Sequence, residues 1–180
     1  MWIRALVLPL FFVLSYATVT AARAPIPEAR AALDAWLMTH PPKAPHIIVT
    51  IARTADAPAT VHLYDGRTSI GVFFGFGGPP DRPTLTGRHQ IMNKLGTVHT
   101  NLYRRALGYE FYLPTFLQIK GNYGFHAYKV SDATREVMPG PTHGCITLPP
   151  GDARALYHWA PIGTPIEIRY LTPNPDIRIE

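Results

Sequence analysis

The segment Gly121 to Leu148, GNYGFHAYKVSDATREVMPGPTHGCITL, carries the chain's only cysteine, Cys145, directly after His143-Gly144 and nineteen residues after His126. A thiol attacks only as thiolate, its free pKa is about 8.5, and a neighbouring imidazole can lower that value and hold an ion pair. Cysteine chemistry therefore needs a histidine in reach, and two compete for the role. His143 stands two positions before the sulfur, and in an extended segment residues i and i+2 face the same way. His126 must be delivered by the fold, and spacing alone leaves the choice open. Gly144 permits a tight turn that can aim consecutive backbone N–H groups at the oxygen of a tetrahedral intermediate. Acyl transfer is the reaction that uses both the thiol–imidazole pair and the turn. Two other readings use the same residues. One is a buried structural cysteine with histidines as hydrogen-bonders. The other is a metal site of His126, His143 and Cys145, joined by His89 or His99, whose ligand types are acceptable but whose spacing matches no standard zinc pattern.

These residues need a scaffold, and the sequence predicts a mainly β one. Short β-rich runs occur at His46 to Ala52, Thr60 to Tyr64 and Ser69 to Phe74, with Asp65-Gly66 as the hairpin turn between the last two. More follow at Gln90 to Met92, Glu110 to Leu113, Phe116 to Ile119 and Thr164 to Arg169. Pro25 to Pro45 reads as a proline-bracketed helix: Pro27 suits its first turn, Leu33, Trp36 and Leu37 share a face, and Pro41-Pro42 end it. Asp152 to Trp159 reads as a second helix capped by Asp152 after Gly151. Many short strands with turn signals favour a β-sandwich or barrel over a βαβ arrangement. Gly75-Phe76-Gly77-Gly78-Pro79-Pro80 lacks phosphate-loop spacing and reads as a loop. Tyr103, Tyr109, Phe111, Tyr112, Phe116, Tyr123 and Phe125 crowd the segment ahead of His126 as core or cleft wall, with no spacing that codes for base stacking.

Composition narrows the class. Of 180 residues, 47% are hydrophobic and only 16% charged, the balance of a folded chain rather than a disordered one. Nineteen prolines argue against long helices and so against bundles and coiled coils. A net charge of +5 with no dense basic cluster makes no demand for nucleic acid. One cysteine excludes an intramolecular disulfide framework and a multi-cysteine zinc site. Met1 to Arg4 carry positive charge, Ala5 to Ala17 are apolar and Thr18 to Ala22 are small, the layout of a secretory signal peptide cleaved near Ala21 or Ala22. The apolar run is short and interrupted by Pro9, so no stable membrane span is expected after cleavage. The organisation expected is 1–22 leader, 23–45 helix and proline-rich linker, and 46–180 main domain. In an oxidising compartment an exposed unpaired thiol is a liability, so Cys145 is either buried and inert or needed.

Several segments together point to one family. Phe125-His126 is followed by a variable loop and then Thr142-His143-Gly144-Cys145-Ile146; upstream stands Pro83-Thr84-Leu85-Thr86-Gly87-Arg88-His89-Gln90-Ile91, and downstream Asp152 to Trp159 and Gly163-Thr164-Pro165-Ile166-Glu167-Ile168. This set resembles the L,D-transpeptidase (YkuD-type) catalytic domain of bacterial cell-wall enzymes, over about His46 to Tyr170. The upstream segment looks like a divergent copy of that family's Thr-Pro-x-Gly turn. The resemblance implies a mainly β, sandwich-like fold with a few short helices, and a periplasmic or cell-wall location. It implies that His126 activates Cys145, that His143 shapes the turn and lines the pocket, and that the N–H groups of Gly144 and Cys145 form an oxyanion hole. Ala127 stands where the family usually has Gly or Ser, so an acceptor there is its carbonyl. Thr147 stands where Arg or Asn is frequent. Thr142, Ala127 and Thr147 are then candidate substrate neighbours, with Tyr109, Tyr112 and Tyr123 as candidate walls of the donor cleft. The activity implied is attack of Cys145 on the carbonyl after an L-centre of a peptidoglycan donor stem, most commonly meso-diaminopimelate in position three, and transfer of the acyl group to an acceptor amine. No metal or organic cofactor is implied, and acylation by carbapenems is. With water as acceptor the same site makes an L,D-carboxypeptidase or amidase, and without chemistry the domain is a wall-binding module.

Overall fold

The structure, a computed structural model, describes residues 26–100, 108 and 110–171. The expected leader, Tyr103 and Tyr109 lie outside the described residues. Among the described residues no helix is long and apolar enough to cross a membrane.

Helix α1 (Ile26–Thr39) precedes strands β1 (Pro45–Ile51), β2 (Pro58–Asp65) and β3 (Thr68–Phe76). Alternation explains the first two strands: Ile47, Val49 and Ile51 of β1 and Ala59, Val61 and Leu63 of β2 are buried, while the residues between them are partly exposed. The β2–β3 hairpin turns on Gly66-Arg67, because Asp65 still pairs with Thr68; Gly66 takes the positive φ of +58° that the turn needs. The Asp65 carboxylate instead accepts the N–H groups of Lys43 and Ala44, tying the linker after α1 to the hairpin. β3 runs on through Gly75 and Phe76, two residues that the glycine-rich pattern assigns to a loop.

Short strands follow: β4 (Gly87–Gln90), β5 (Asn93–Lys94), β6 (Val98–Thr100), β7 (Phe111–Leu113), β8 (Leu117–Lys120), β9 (Tyr123–Ala127), β10 (Lys129–Ser131), β11 (Val137–Met138) and β12 (Ile146–Leu148). Helix α2 (Pro150–Trp159) and β13 (Pro165–Tyr170) close the described chain. Nine strands form one sheet in the order β4-β13-β1-β2-β3-β12-β9-β8-β5, and four form a second in the order β11-β10-β7-β6. The fold is mainly β, as the sequence predicts. Among the described strands only β1–β13 and β9–β12 pair in parallel. Parallel neighbours cannot be joined by a tight hairpin, so β9 reaches β12 through the segment that holds β10 and β11.

α2 starts with Pro149 at its cap position and Pro150 in its first turn, so Asp152 does not cap it. Asp152 is buried and paired with Arg30 of α1, whose guanidinium also donates to the Val72 carbonyl at 2.8 Å and lies 4.6 Å from the Phe73 ring centre. Leu37 is fully buried and Leu33 packs against the core, whereas Trp36 is 40% exposed and stacks on His40 instead of sharing that face. α1 is thereby clamped to β3 and α2, and α2 packs on β9 and β12, the strands that hold His126 and follow Cys145.

Candidate active site

Register delivers the pair. Ile146 lies opposite Phe125 and Thr147 opposite His126, so Cys145, one step earlier, comes beside Gly124. Side chains alternate along strands, which puts Cys145 and Thr147 on the sheet face that carries His126. All three line one pocket of about 470 Å³, together with Tyr123, Thr142 and His143.

The turn before β12 is held by a threonine and a glycine. Gly144 has φ +111°, and a Cβ there would sit 2.4 Å from Cε1 of Tyr123. The Thr142 hydroxyl donates to the Cys145 carbonyl and accepts the Gly144 N–H at 3.1 Å. The Gly144 N–H, one of the two donors expected for an oxyanion hole, bonds to the Thr142 hydroxyl in this structure. Below the turn lies a glycine shelf. The Thr142 N–H donates to the Gly77 carbonyl at 3.0 Å and the Gly78 N–H to the Thr84 hydroxyl at 2.8 Å. The Tyr170 hydroxyl donates to the Gly78 carbonyl at 2.6 Å and accepts the Thr84 N–H at 2.9 Å. A Cβ on Gly75 would stand 2.0 Å from the Thr147 carbonyl oxygen, and one on Gly78 would stand 3.0 Å from the Gly144 nitrogen. The stretch that reads as a plain loop is thus the close-approach surface on which the turn rests; the run of glycines at 75, 77 and 78 was its sequence signal.

Burial sets the charges. His126 Nδ1 lies 2.6 Å from the Ala127 carbonyl, and a carbonyl only accepts, so Nδ1 carries the proton and Nε2 is the basic nitrogen. The Phe116 ring lies parallel to the imidazole with centres 6.0 Å apart. Desolvation pushes His126 down to about 4, with the Ala127 bond opposing and Lys129 adding to the shift. The same cause pushes the Cys145 thiol up to about 11, opposed in part by the Gly124 N–H. The sulfur donates weakly to the Asn122 carbonyl at 3.4 Å. Near neutral pH the resting pair is thiol and neutral imidazole, not the ion pair that sequence proximity suggests.

His143 is turned to another task. The positive φ of Gly144 breaks the alternation on which an i, i+2 contact with Cys145 rests, and His143 Nε2 accepts from the Arg82 guanidinium at 3.2 Å. Burial, then Arg82 and Lys129, lower its pKa, which suits an accepting, neutral ring.

The structure therefore gathers Cys145, His126, His143, Thr142, Thr147 and Tyr123 in one pocket, with the Ala127 carbonyl on the imidazole. Tyr112 is not among the lining residues: His99 meets its ring edge-on at 4.3 Å and Arg135 lies 5.3 Å from it on another side. Sequence reasoning missed Lys129, Asn122 and Arg82, which lack any distinguishing pattern. Thr147 Oγ1 is buried and has no hydrogen-bond partner among the described residues. Among the described residues no group of three His, Cys, Asp or Glu side chains is placed to hold a metal ion, including the combinations of Cys145 with histidines considered above.

A family model described as the L,D-transpeptidase catalytic domain matches residues 46–168. No curated protein matches the chain by sequence. Among solved structures, an L,D-transpeptidase from Mycobacterium smegmatis is similar with a TM-score of 0.54 at 17% identity, covering 69% of this chain and 59% of that one. One from Stackebrandtia nassauensis gives 0.52 at 19% identity, covering 78% and 66%. A fused Zn-dependent amidase/peptidase/peptidoglycan-binding domain-containing protein from Clostridium acetobutylicum gives 0.51 at 25% identity, covering 81% and 63%. The chain thus spans somewhat less than two thirds of the length of each of these solved chains.

Proposed function

We infer, since this chain belongs to the L,D-transpeptidase catalytic domain family, that it is a cysteine acyltransferase acting on peptidoglycan stem peptides at the cell wall after secretion. The observation that carries the reading is the placement of Cys145 and His126 on one face of one pocket, with His126 Nδ1 tied to the Ala127 carbonyl so that Nε2 is the base.

In the first step Cys145 Sγ attacks the carbonyl after the L-centre of the donor stem while His126 Nε2 takes the thiol proton. A neutral imidazole is the competent form, and a half-buried neutral thiol need never exist as a free thiolate. The oxyanion falls to the Cys145 N–H, since that of Gly144 serves the turn through Thr142. The imidazolium returns its proton to the leaving amine, the C–N bond breaks and the terminal D-residue departs, leaving a thioester. In the second step an acceptor amine attacks, His126 removes its proton, the C–S bond breaks and the sulfur recovers the proton. Thr147 backs the pocket beside His126 with its hydroxyl buried, and Tyr123 forms a wall of the cleft that takes the stem. The chain's own residues supply every proton movement, and carbapenems should acylate the same sulfur.

Mass spectrometry of muropeptides after incubation of the purified protein, beside its Cys145→Ala variant, with disaccharide-tripeptide and disaccharide-tetrapeptide tests this. Cysteine-dependent dimers are expected. Shortened monomers without dimers would make water the acceptor and the protein an L,D-carboxypeptidase or amidase. Unchanged substrates with both proteins folded would leave a wall-binding domain.

A further inference from the structure

A second cleft, of about 670 Å³, shares Tyr123 and His143 with the Cys145 pocket. Among the described residues its charged lining is Arg53 and Arg82, with no Asp or Glu. The Arg53 guanidinium lies 5.3 Å from the centre of the Tyr170 ring and enters no ion pair with the described residues. Tyr170 is itself a fixed platform, because its hydroxyl bridges the Gly78 carbonyl and the Thr84 N–H under the catalytic turn. Arg82 reaches His143 with one guanidinium nitrogen and the exposed rim residue Asp81 with another, at 3.2 Å each. A cation parked on an aromatic face without an ion-pair partner among the described residues, in a concavity that adjoins the Cys145 pocket, is a place for an anion.

We propose that this cleft is the acceptor subsite, in which Arg53 and Arg82 bind a carboxylate of the incoming amine-bearing stem peptide. The inference rests on the transpeptidase reading for what the ligand does, but not for whether it binds. Once the donor acyl group is on Cys145 it fills the first pocket, so the second substrate needs a separate approach to the sulfur. The second cleft adjoins the Cys145 pocket across Tyr123 and His143, the two residues that line both, and is the candidate for that approach. Stem peptides end in carboxylates, and in meso-diaminopimelate the attacking amine sits on a carbon that also bears one. Planar guanidinium groups match that anion in geometry as well as charge. Positive charge around the site also disfavours the protonated, unreactive form of the arriving amine. Arg53 selects the acceptor, because Arg82 is additionally engaged with His143.

The test compares wild-type protein with Arg53→Gln, using an acceptor tripeptide with free carboxylates and the same tripeptide carboxamide. Thioester formation from donor tetrapeptide, read as intact mass, should stay within about twofold in the variant, and melting should confirm that it is folded. The acceptor KM for dimer formation should rise about tenfold, the loss of one charge-assisted contact, with product shifting to hydrolysed monomer. Wild-type protein should lose as much with the carboxamide, and Arg53→Gln should no longer tell the two acceptors apart. A variant that keeps wild-type acceptor dependence and discrimination overturns the subsite. Should wild-type protein form no thioester, the acyltransfer reading fails, and binding decides the subsite by itself. Calorimetry in the Cys145→Ala background should then find the carboxylate tripeptide bound about tenfold more tightly than its amide, a preference abolished by Arg53→Gln; equal binding overturns it.

Discussion

The resting charge of the Cys145–His126 pair can be read from alkylation by iodoacetamide, whose rate follows the thiolate fraction. Burial raises the thiol from 9.0 to about 11. At pH 7.5 the thiolate fraction is then about three in ten thousand, against about three in a hundred for the unshifted thiol, a deficit of about 100-fold. The rate, followed by intact mass in pH-jump incubations, should be about 100-fold below that of a simple thiol and rise about tenfold per pH unit up to pH 10. Acylation by a carbapenem should behave differently, because His126 removes the proton during attack and needs only to be neutral. With His126 at about 4, that rate should be flat from pH 6 to 9 and fall below pH 5. Replacing His126 by Gln should lower acylation by about 10²–10⁴-fold while leaving the slope of the alkylation profile intact. An alkylation rate already level at pH 7 would refute the reasoning, since it would mean that thiolate and imidazolium form the resting pair.

Three further outcomes are expected. His126 stays neutral in the fold down to about 4, whereas in the unfolded chain it takes a proton below 6.5. Stability should therefore be full above pH 6.5 and fall between 6.5 and 4 by about 3 kcal/mol at about 1.4 kcal/mol per unit; urea melts of wild-type and His126→Gln protein at pH 7 and 4 check this, with the loss reduced in the variant. Thr142→Val removes the acceptor of the Gly144 N–H and the donor to the Cys145 carbonyl, costing about 2 kcal/mol and slowing carbapenem acylation at least tenfold, while Thr142→Ser should retain most of both. Arg30→Ala leaves the carboxylate of Asp152 buried without its partner and should destabilise by about 3 kcal/mol in denaturant melts; adding Asp152→Asn should recover part of that.

The chemistry-bearing residues were legible because their types are scarce: one cysteine, a histidine-glycine pair before it and an upstream histidine name the pocket's main members. The first sheet strands were legible for another reason, the strict alternation of Ile47, Val49 and Ile51 against Ala59, Val61 and Leu63. The strands that build the site had neither advantage. In β9 the run Gly124-Phe125-His126-Ala127 is buried on both faces, and so is all of β12, so no period of two is left to read. Their parallel pairing depends on a crossover that sequence does not announce. Asp152 follows Gly151 and looks like a helix cap, yet its partner Arg30 is 122 positions away. The turn that sends His143 toward Arg82 depends on the positive φ of Gly144, which a one-letter sequence shows only as a permissive glycine.

What burial does to the pair also bears on why a lone thiol is tolerable. Peroxides and disulfides react with thiolate, and a sulfur held protonated offers them little. The desolvation that depresses His126 raises Cys145, so under the proposed mechanism the proton stays on sulfur until a carbonyl arrives and makes its transfer favourable. A thiol activated at rest by an imidazolium would gain speed against any electrophile; in the proposed mechanism this one gains it only against the electrophile that fits. The glycine shelf, the Thr142 bridge and the Ala127 carbonyl serve that end together, since they fix where the sulfur and Nε2 stand rather than how charged they are. Selectivity then passes to the walls of the pocket and to the cationic cleft beside it, where substitutions should change which substrates react without changing the intrinsic reactivity of the sulfur.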